Sequence, residues 1–296
     1  MGALPQGKET TLLYGYSTLY TLALTDPEKH RSEIDDIKHN IGLLAQGFVE
    51  SGQDRLVLQC LGPLSIAHLG FLRDRFPGTY LNEFLEREED FKPDGLLPIK
   101  ELATKFDQII VLLGKRGSGK GTVSDHLTWE YAIQSMATSD WLRATTEVQQ
   151  SQSPDDPIGL REVGNALREQ YGPDVLIRLT LQEQLLKEQD MVVLEGLRAE
   201  EELKALVEYP NVSVVWIEAD DDVRLKRVRA RNRPGDPKTM DELLTSDKLS
   251  FPEADKLKAL RHHDLSNNSS ADEFGKAIDV LMGILHIEKP RYSNID

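Results

Sequence analysis

One stretch, IIVLLGKRGSGKGTVSDH over residues 109–126, constrains the fold of this chain more than any other. Ile109 to Leu113 is an unbroken apolar run of the kind that forms a strand buried on both faces. Gly114 interrupts it, and a helical pattern with Val123 and Leu127 on one side follows Gly119. Between strand and helix the spacing is glycine, four residues, glycine, lysine, which is that of a phosphate-binding loop. Glycines let successive backbone N–H groups turn inward as an anion nest. The helix aims the positive end of its dipole at the same point. Lys120 adds a mobile point charge for terminal phosphates. The loop therefore predicts binding of a nucleoside triphosphate through Gly114, Lys115, Arg116, Gly117, Ser118, Gly119, Lys120, Gly121 and Thr122.

Further along, strands and helices alternate. Apolar runs at 132–137, 191–194 and 212–217 read as strands. Helical periodicity spans 160–170, resumes after Gly172-Pro173, and recurs at 200–208 and 220–231. Ser270 to Glu273 is a capping box that opens a last helix with Phe274, Ile278, Leu281, Met282 and Leu285 on one face. The polar stretches 147–157 and 232–250 read as loops, and 264–270 as a turn. Such alternation predicts an α/β fold, a three-layer sandwich around a parallel sheet. Ligands in these sheets sit at the carboxyl ends of the strands.

Residues 1–100 are expected to form a smaller module, helical or mixed α/β, ahead of a nucleotide-binding domain at 101–296. Ser32 to Ser51 is an amphipathic helix with Ile34, Ile37, Ile41, Leu44 and Phe48 at helical spacing. Arg55 to Leu61 reads as a buried strand, 63–75 as a helix, and 80–86 as a strand or a short helix. The stretch from Phe91 to Pro98 is linker-like, which sets the boundary near residue 100. No motif with chemistry stands out there. This module is the candidate surface for a protein partner or a homo-oligomer.

The charge balance narrows the partners. Lys plus Arg is 35 against 50 Asp plus Glu, a net charge of −15. That field weighs against nucleic acid and anionic membranes. The single cysteine, Cys60, excludes an internal disulfide, and its apolar neighbours suggest a buried structural thiol. The opening MGALPQGKETT lacks the basic-then-apolar layout of a signal peptide, and no apolar run is long enough to span a membrane, so a cytoplasmic location is expected.

The GKGT ending of the loop, with Gly121 where Ser or Thr is usual, resembles the adenylate-kinase group of nucleotide kinases. Four later segments resemble the same group in the same order. TSDWLRA at 138–144 is similar to a segment that holds the acceptor monophosphate, which implies Thr138 and Arg143 as acceptor-binding residues. ALREQYGPD at 166–174 is similar to one in kinases related to adenylate kinase and dephospho-coenzyme A kinase, and implies Arg168. LEGLR at 194–198 resembles their DGIR signature. It implies Glu195, with Thr122, for Mg²⁺ and Arg198 for substrate and catalysis. The arginines 224, 227 and 231 share a helix face and resemble a lid, around 224–250, that closes over the phosphates. Arg227 and Arg231 are its catalytic candidates. Ser246-Asp247 stands where those kinases carry Arg-Asp.

The resemblance covers about residues 106–286. It implies an ATP- and Mg²⁺-dependent phosphotransferase acting on a nucleoside or deoxynucleoside monophosphate, or a similar small phosphorylated acceptor. Two alternatives stay open: a kinase directed at nucleic acid, and a nucleotide-binding switch with little kinase activity.

Overall fold

The computed structural model describes residues 12–13, 15–16, 19–20, 30–53, 57–58, 60–61, 69, 71–73, 75–86, 95–138, 142, 157–187, 189–232 and 236–290. Arg143, all of 63–68 and the 147–156 stretch lie outside them. Two compact units are distinguished, one of residues 1–106, 136–190 and 292–296, the other of 107–135 and 191–291.

In the first unit, helix α1 (Arg31–Glu50) buries Ile34, Ile37, Ile41, Ala45 and Phe48, the stripe expected from the sequence. They meet Leu13, Tyr20, Leu58, Leu61, Leu72 and Leu81 in one apolar core. The 80–86 segment is a helix, α2 (Tyr80–Glu86). The expected strand at 55–61 is not formed, because Val57, Leu58 and Cys60 are helical. An apolar run this short satisfies either periodicity, and the surrounding helical core selects the helix. Cys60 is buried, which pushes its thiol pKa up to about 12. Helix α3 (Ile99–Ala103) follows.

Further on are α4 (Lys120–Tyr131), strand β2 (Gln134–Ala137), α5 (Pro157–Tyr171) and α6 (Val175–Leu186), after β1 (Gln108–Leu113). Leu96 is buried with Val175, Leu176 and Leu179 of α6, and Leu97 N–H donates to Gln182 Oε1 at 2.9 Å. The end of the linker-like stretch is thus packed against α6. Tyr80 Oη donates to Leu186 O at 3.4 Å, joining α2 to the same helix.

The second unit is built on the sheet. Its strands are β1, β3 (Met191–Glu195), β4 (Val212–Glu218) and β5 (His263–Ser266), and with β2 the order is β2-β3-β1-β4-β5. β1 pairs in parallel with β3 and β4, and β4 with β5. Alternate residues serve opposite faces. Ile110, Leu112, Val193, Val215 and Ile217 pack against Val123, Leu127 and Tyr131 of α4 and against Phe274, Ile278, Leu281 and Met282 of α11 (Ala271–Ile284). The intervening Ile109, Val111, Leu113, Val192, Leu194, Val214 and Trp216 are equally buried, so both faces are covered. The fold is α/β with a parallel sheet, as the alternation implied. α11 begins at the expected Ser270–Glu273 box.

Between these strands lie α7 (Glu200–Lys204), α8 (Asp221–Arg231), α9 (Met240–Ser250) and α10 (Ala254–Ala259). Two expectations are corrected here. The second half of the 232–250 stretch is helix α9, not loop. Thr239 Oγ1 accepts from Glu242 N at 3.2 Å and the Glu242 carboxylate accepts from Thr239 N at 3.3 Å, a second capping box hidden in a polar run. Residues 263–266 form β5 rather than a turn; only Leu265 is buried, so this edge strand lacks an apolar signature. No helix among the described residues is long and apolar enough to cross a membrane.

Candidate active site

β1 ends beside β3 and β4, with Val111 opposite Leu194 and Leu113 opposite Trp216. The phosphate loop leaves β1 at this edge. Packing as well as anion binding demands its glycines. Gly119 has φ +106°, and a Cβ there would stand 2.0 Å from Asn267 Nδ2. At Gly117 (φ +80°) a Cβ would meet Arg224 O at 2.9 Å. Asn267 is buried; its Nδ2 donates to Ser118 O at 2.8 Å and its Oδ1 accepts from Arg227 Nη2 at 2.9 Å. The residue after β5 therefore clips the loop to α8.

Lys120 opens α4, half-buried, with Nζ donating to Gly114 O at 2.7 Å and Lys115 O at 3.4 Å. Burial pushes its pKa down to about 8. Glu195 opposes that shift, whereas Arg198, Arg224 and Arg231 add to it. A phosphate would favour the charged amine. Nucleotide binding above pH 8 should then take up a proton, and affinity should fall as pH rises through 8. Calorimetry at pH 8.5 in two buffers of different ionisation enthalpy should give different binding enthalpies for wild type. Lys120→Arg, which does not titrate there, should erase the difference.

Glu195 sits at the end of β3. Its Oε1 accepts from Ser124 Oγ and from Ser135 Oγ, the latter at 3.3 Å. Ser124, four residues after Lys120 on the same helix face, was not singled out in the sequence; the i, i+4 spacing is the signal that points to it. Thr122 is exposed on the first turn. Burial and the charge of Glu195 raise the pKa of Asp125. These donors are all oxygen, which suits a hard cation such as Mg²⁺. Among the described residues no cluster of three His, Cys, Asp or Glu side chains could hold an ion alone. Glu195 and Thr122 carry oxygen donors of the kind that would hold a hydrated Mg²⁺, an ion that would supply positive charge against phosphates.

The arginines divide into distinct roles. Arg224, 1 % exposed, is a brace: Nε donates to Arg116 O at 2.8 Å, Nη1 to Asp221 and Nη2 to Asp247. Arg227 bonds Asn267, and burial lowers its pKa. Its Nη1, like Ser118 Oγ in the loop, is buried without a hydrogen-bond partner. Arg231 grips Asp236 with two hydrogen bonds of 2.8 and 2.7 Å, and Arg116 reaches the same carboxylate at 3.4 Å. Arg198 is exposed on the turn after β3, its guanidinium 5.3 Å from the centre of the Phe251 ring. Asp236 and Phe251 were not singled out in the sequence, and Asp247 and Asn267 were noted there without these partners, since each acts by tertiary contact.

Of the acceptor candidates, Thr138, Arg143 and Arg168 belong to the first unit and Arg198 to the second. Thr138 is buried, and Arg168 lies over Gly164, whose added Cβ would be 3.1 Å from Arg168 Nη1. Arg143 is outside the described residues.

A family model described as an AAA domain matches residues 110–244. Among solved structures, TT1252 from Thermus thermophilus aligns at TM-score 0.45 and 21% identity, covering 61% of this chain and 99% of its own. A shikimate kinase from Bacteroides thetaiotaomicron aligns at TM-score 0.42 and 14% identity, covering 60% and 98%. A UPF0200 protein of Pyrococcus abyssi is 34% identical over 182 residues, which take in 59% of this chain and 95% of that protein. With nearly the whole of such a relative matched, the chain belongs to the UPF0200 family.

Proposed function

We propose that the protein is an ATP- and Mg²⁺-dependent phosphotransferase acting on a nucleoside or deoxynucleoside monophosphate, or a similar small phosphorylated acceptor. The observation that carries this reading is the cation set around the loop: Lys120 opens α4 with Nζ on Gly114 O at 2.7 Å, and Arg227, joined through Asn267 to Ser118 O, keeps Nη1 buried without a hydrogen-bond partner. A loop that only bound a triphosphate would not need that second cation, whereas a moving phosphoryl group does. In this reading Lys120, Arg198, Arg227 and Arg231 stabilise the transferred group. Thr138, Arg143 and Arg168 are the acceptor-binding candidates of the first unit and Arg198 that of the second. Catalysis needs alignment and charge more than covalent chemistry. The catalytic domain begins near residue 101, the first hundred residues are an appended module, and the working compartment is the cytoplasm.

The test is a phosphotransfer screen with Mg²⁺-ATP against nucleoside monophosphates, deoxynucleoside monophosphates, dephospho-coenzyme A and nucleosides, beside Lys120→Ala. One acceptor should stimulate ADP formation by at least about 10²-fold over ATP alone. No transfer to any of them, with ATP still bound, would sink the reading. One observation favours the second reading, a slow switch: Asp236 and Asp247 already neutralise Arg231 and Arg224. Slow ATP loss that no acceptor accelerates would support it.

A further inference from the structure

The segment following α9 does more than end a helix. Phe251 is its C-terminal cap, and Phe251 N–H donates to Asp247 O at 2.8 Å. The ring is 4 % exposed. On one side it stacks on Trp216 of β4, with centroids 6.1 Å apart and planes 17° from parallel. Trp216 in turn lies under Lys258, whose Nζ is 5.5 Å from its ring and is held by Glu218 at 2.8 Å. The Phe251 ring also carries the Arg198 guanidinium, 5.3 Å from its centre. Two stacked rings thus each have a cation beside them.

The turn bearing Arg198 is fixed at its backbone as well. The fully buried Glu202 carboxylate accepts from Arg198 N at 2.7 Å and Ala199 N at 2.9 Å. Two residues after Phe251, the Glu253 carboxylate accepts from Glu200 N at 2.7 Å, and Lys256 bridges Glu253 and Glu200. The turn after β3 and the 251–253 segment are therefore docked through an aromatic contact and a charge-assisted backbone bond. An exposed arginine on a free turn would sample many rotamers. A ring beneath it removes most of that freedom and favours the planar guanidinium lying flat.

We propose that Phe251 is the positioning residue of Arg198, holding its guanidinium toward the phosphate loop so that it meets the terminal phosphate of a bound nucleoside triphosphate. The proposal rests on the reading of Arg198 as a phosphate-facing cation. Because Phe251 directly follows α9, it also makes the orientation of Arg198 depend on how that helix is seated. Arg198 is also near enough to Lys120 for its charge to help lower the Lys120 pKa.

The discriminating quantity is the ratio of ATP to ADP affinity, measured by calorimetry with Mg²⁺. Loss of an aligned terminal-phosphate contact lowers this ratio, whereas general loosening of the fold weakens both nucleotides together. Phe251→Leu, which keeps apolar bulk and removes the ring, should reduce the preference for ATP by roughly three- to tenfold. Phe251→Tyr, which keeps the ring, should stay within about twofold of wild type. In an Arg198→Met background Phe251→Leu should have no further effect on the ratio. Urea midpoints of all variants ensure that folded protein is compared. An unchanged ratio in Phe251→Leu while Arg198→Met shifts it would overturn the positioning role alone. The same loss in both backgrounds would overturn it too, by making Phe251 a packing residue. If Arg198→Met leaves the ratio at the wild-type value, Arg198 does not meet the terminal phosphate and the proposal falls with it. A wild-type protein that binds neither nucleotide would instead defeat the reading of the whole site.

Discussion

Lys120→Met should lower phosphotransfer, or ATP consumption if no acceptor is supplied, by about 10³-fold without unfolding the protein. The side chain lies in a half-buried position whose environment penalises its charge, as its lowered pKa records. Phosphate compensates that penalty, so the amine is worth more to the bound state than to the free fold. The linkage fixes the sign for stability. The folded pKa, about 8, lies below the ordinary 10.5, so at pH 7 the native state carries a charge that it disfavours. Stability from this group rises between pH 8 and 10.5, where the unfolded chain still binds the proton and the native one does not. Removing the amine deletes that penalty and the two hydrogen bonds to Gly114 O and Lys115 O. Each such bond contributes only about 1 kcal/mol. The urea midpoint at pH 7 should therefore be no lower than that of wild type, while its rise between pH 8 and 10 should be reduced. A large fall in the midpoint together with activity would show Lys120 to be a structural residue.

The loop, the strand before it and the helix after it were legible because all three signals are local. Spacing, apolar run and periodicity fall within one stretch of chain, and the structure returns β1, the loop and α4 at those positions. The amphipathic α1 and the capped α11 were legible for the same reason. What the sequence concealed is tertiary in origin. α9 was hidden by the polarity of its sequence, because its core face contributes only Leu243 and the paired Asp247 to the interior. β5 escaped because an edge strand buries one residue in four. Spacing put the arginines of α8 on one face but gave no division of labour. Periodicity groups Arg224, Arg227 and Arg231, yet only the fold reveals that Asp247 comes back from α9 to meet the first and Asp236 to meet the last. A carboxylate 23 residues away leaves no spacing rule by which to find it.

Arg224→Leu should cost about 3–5 kcal/mol in urea unfolding, the largest stability effect expected in the site. The cause is what it leaves behind. Asp247 has a side chain 9 % exposed and an Oδ1 already without a hydrogen-bond partner, so loss of Arg224 strands its charge in the interior. A buried ion pair adds little over an apolar pair of similar shape, but half of one is strongly destabilising. Arg224→Leu combined with Asp247→Leu should therefore recover most of the loss. Function should not recover with it. Arg224 Nε also holds Arg116 O, and the Arg224 backbone packs directly on Gly117, so the guanidinium fixes the phosphate loop as well as the helix pair. The double variant should be nearly as stable as wild type yet bind ATP roughly tenfold more weakly, about one charge-assisted hydrogen bond to the loop. Recovery of both together would make Arg224 a packing element with no hold on the loop. A single variant within 1 kcal/mol of wild type would mean that Asp247 finds another cation or reaches solvent, and the buried brace would not exist as described.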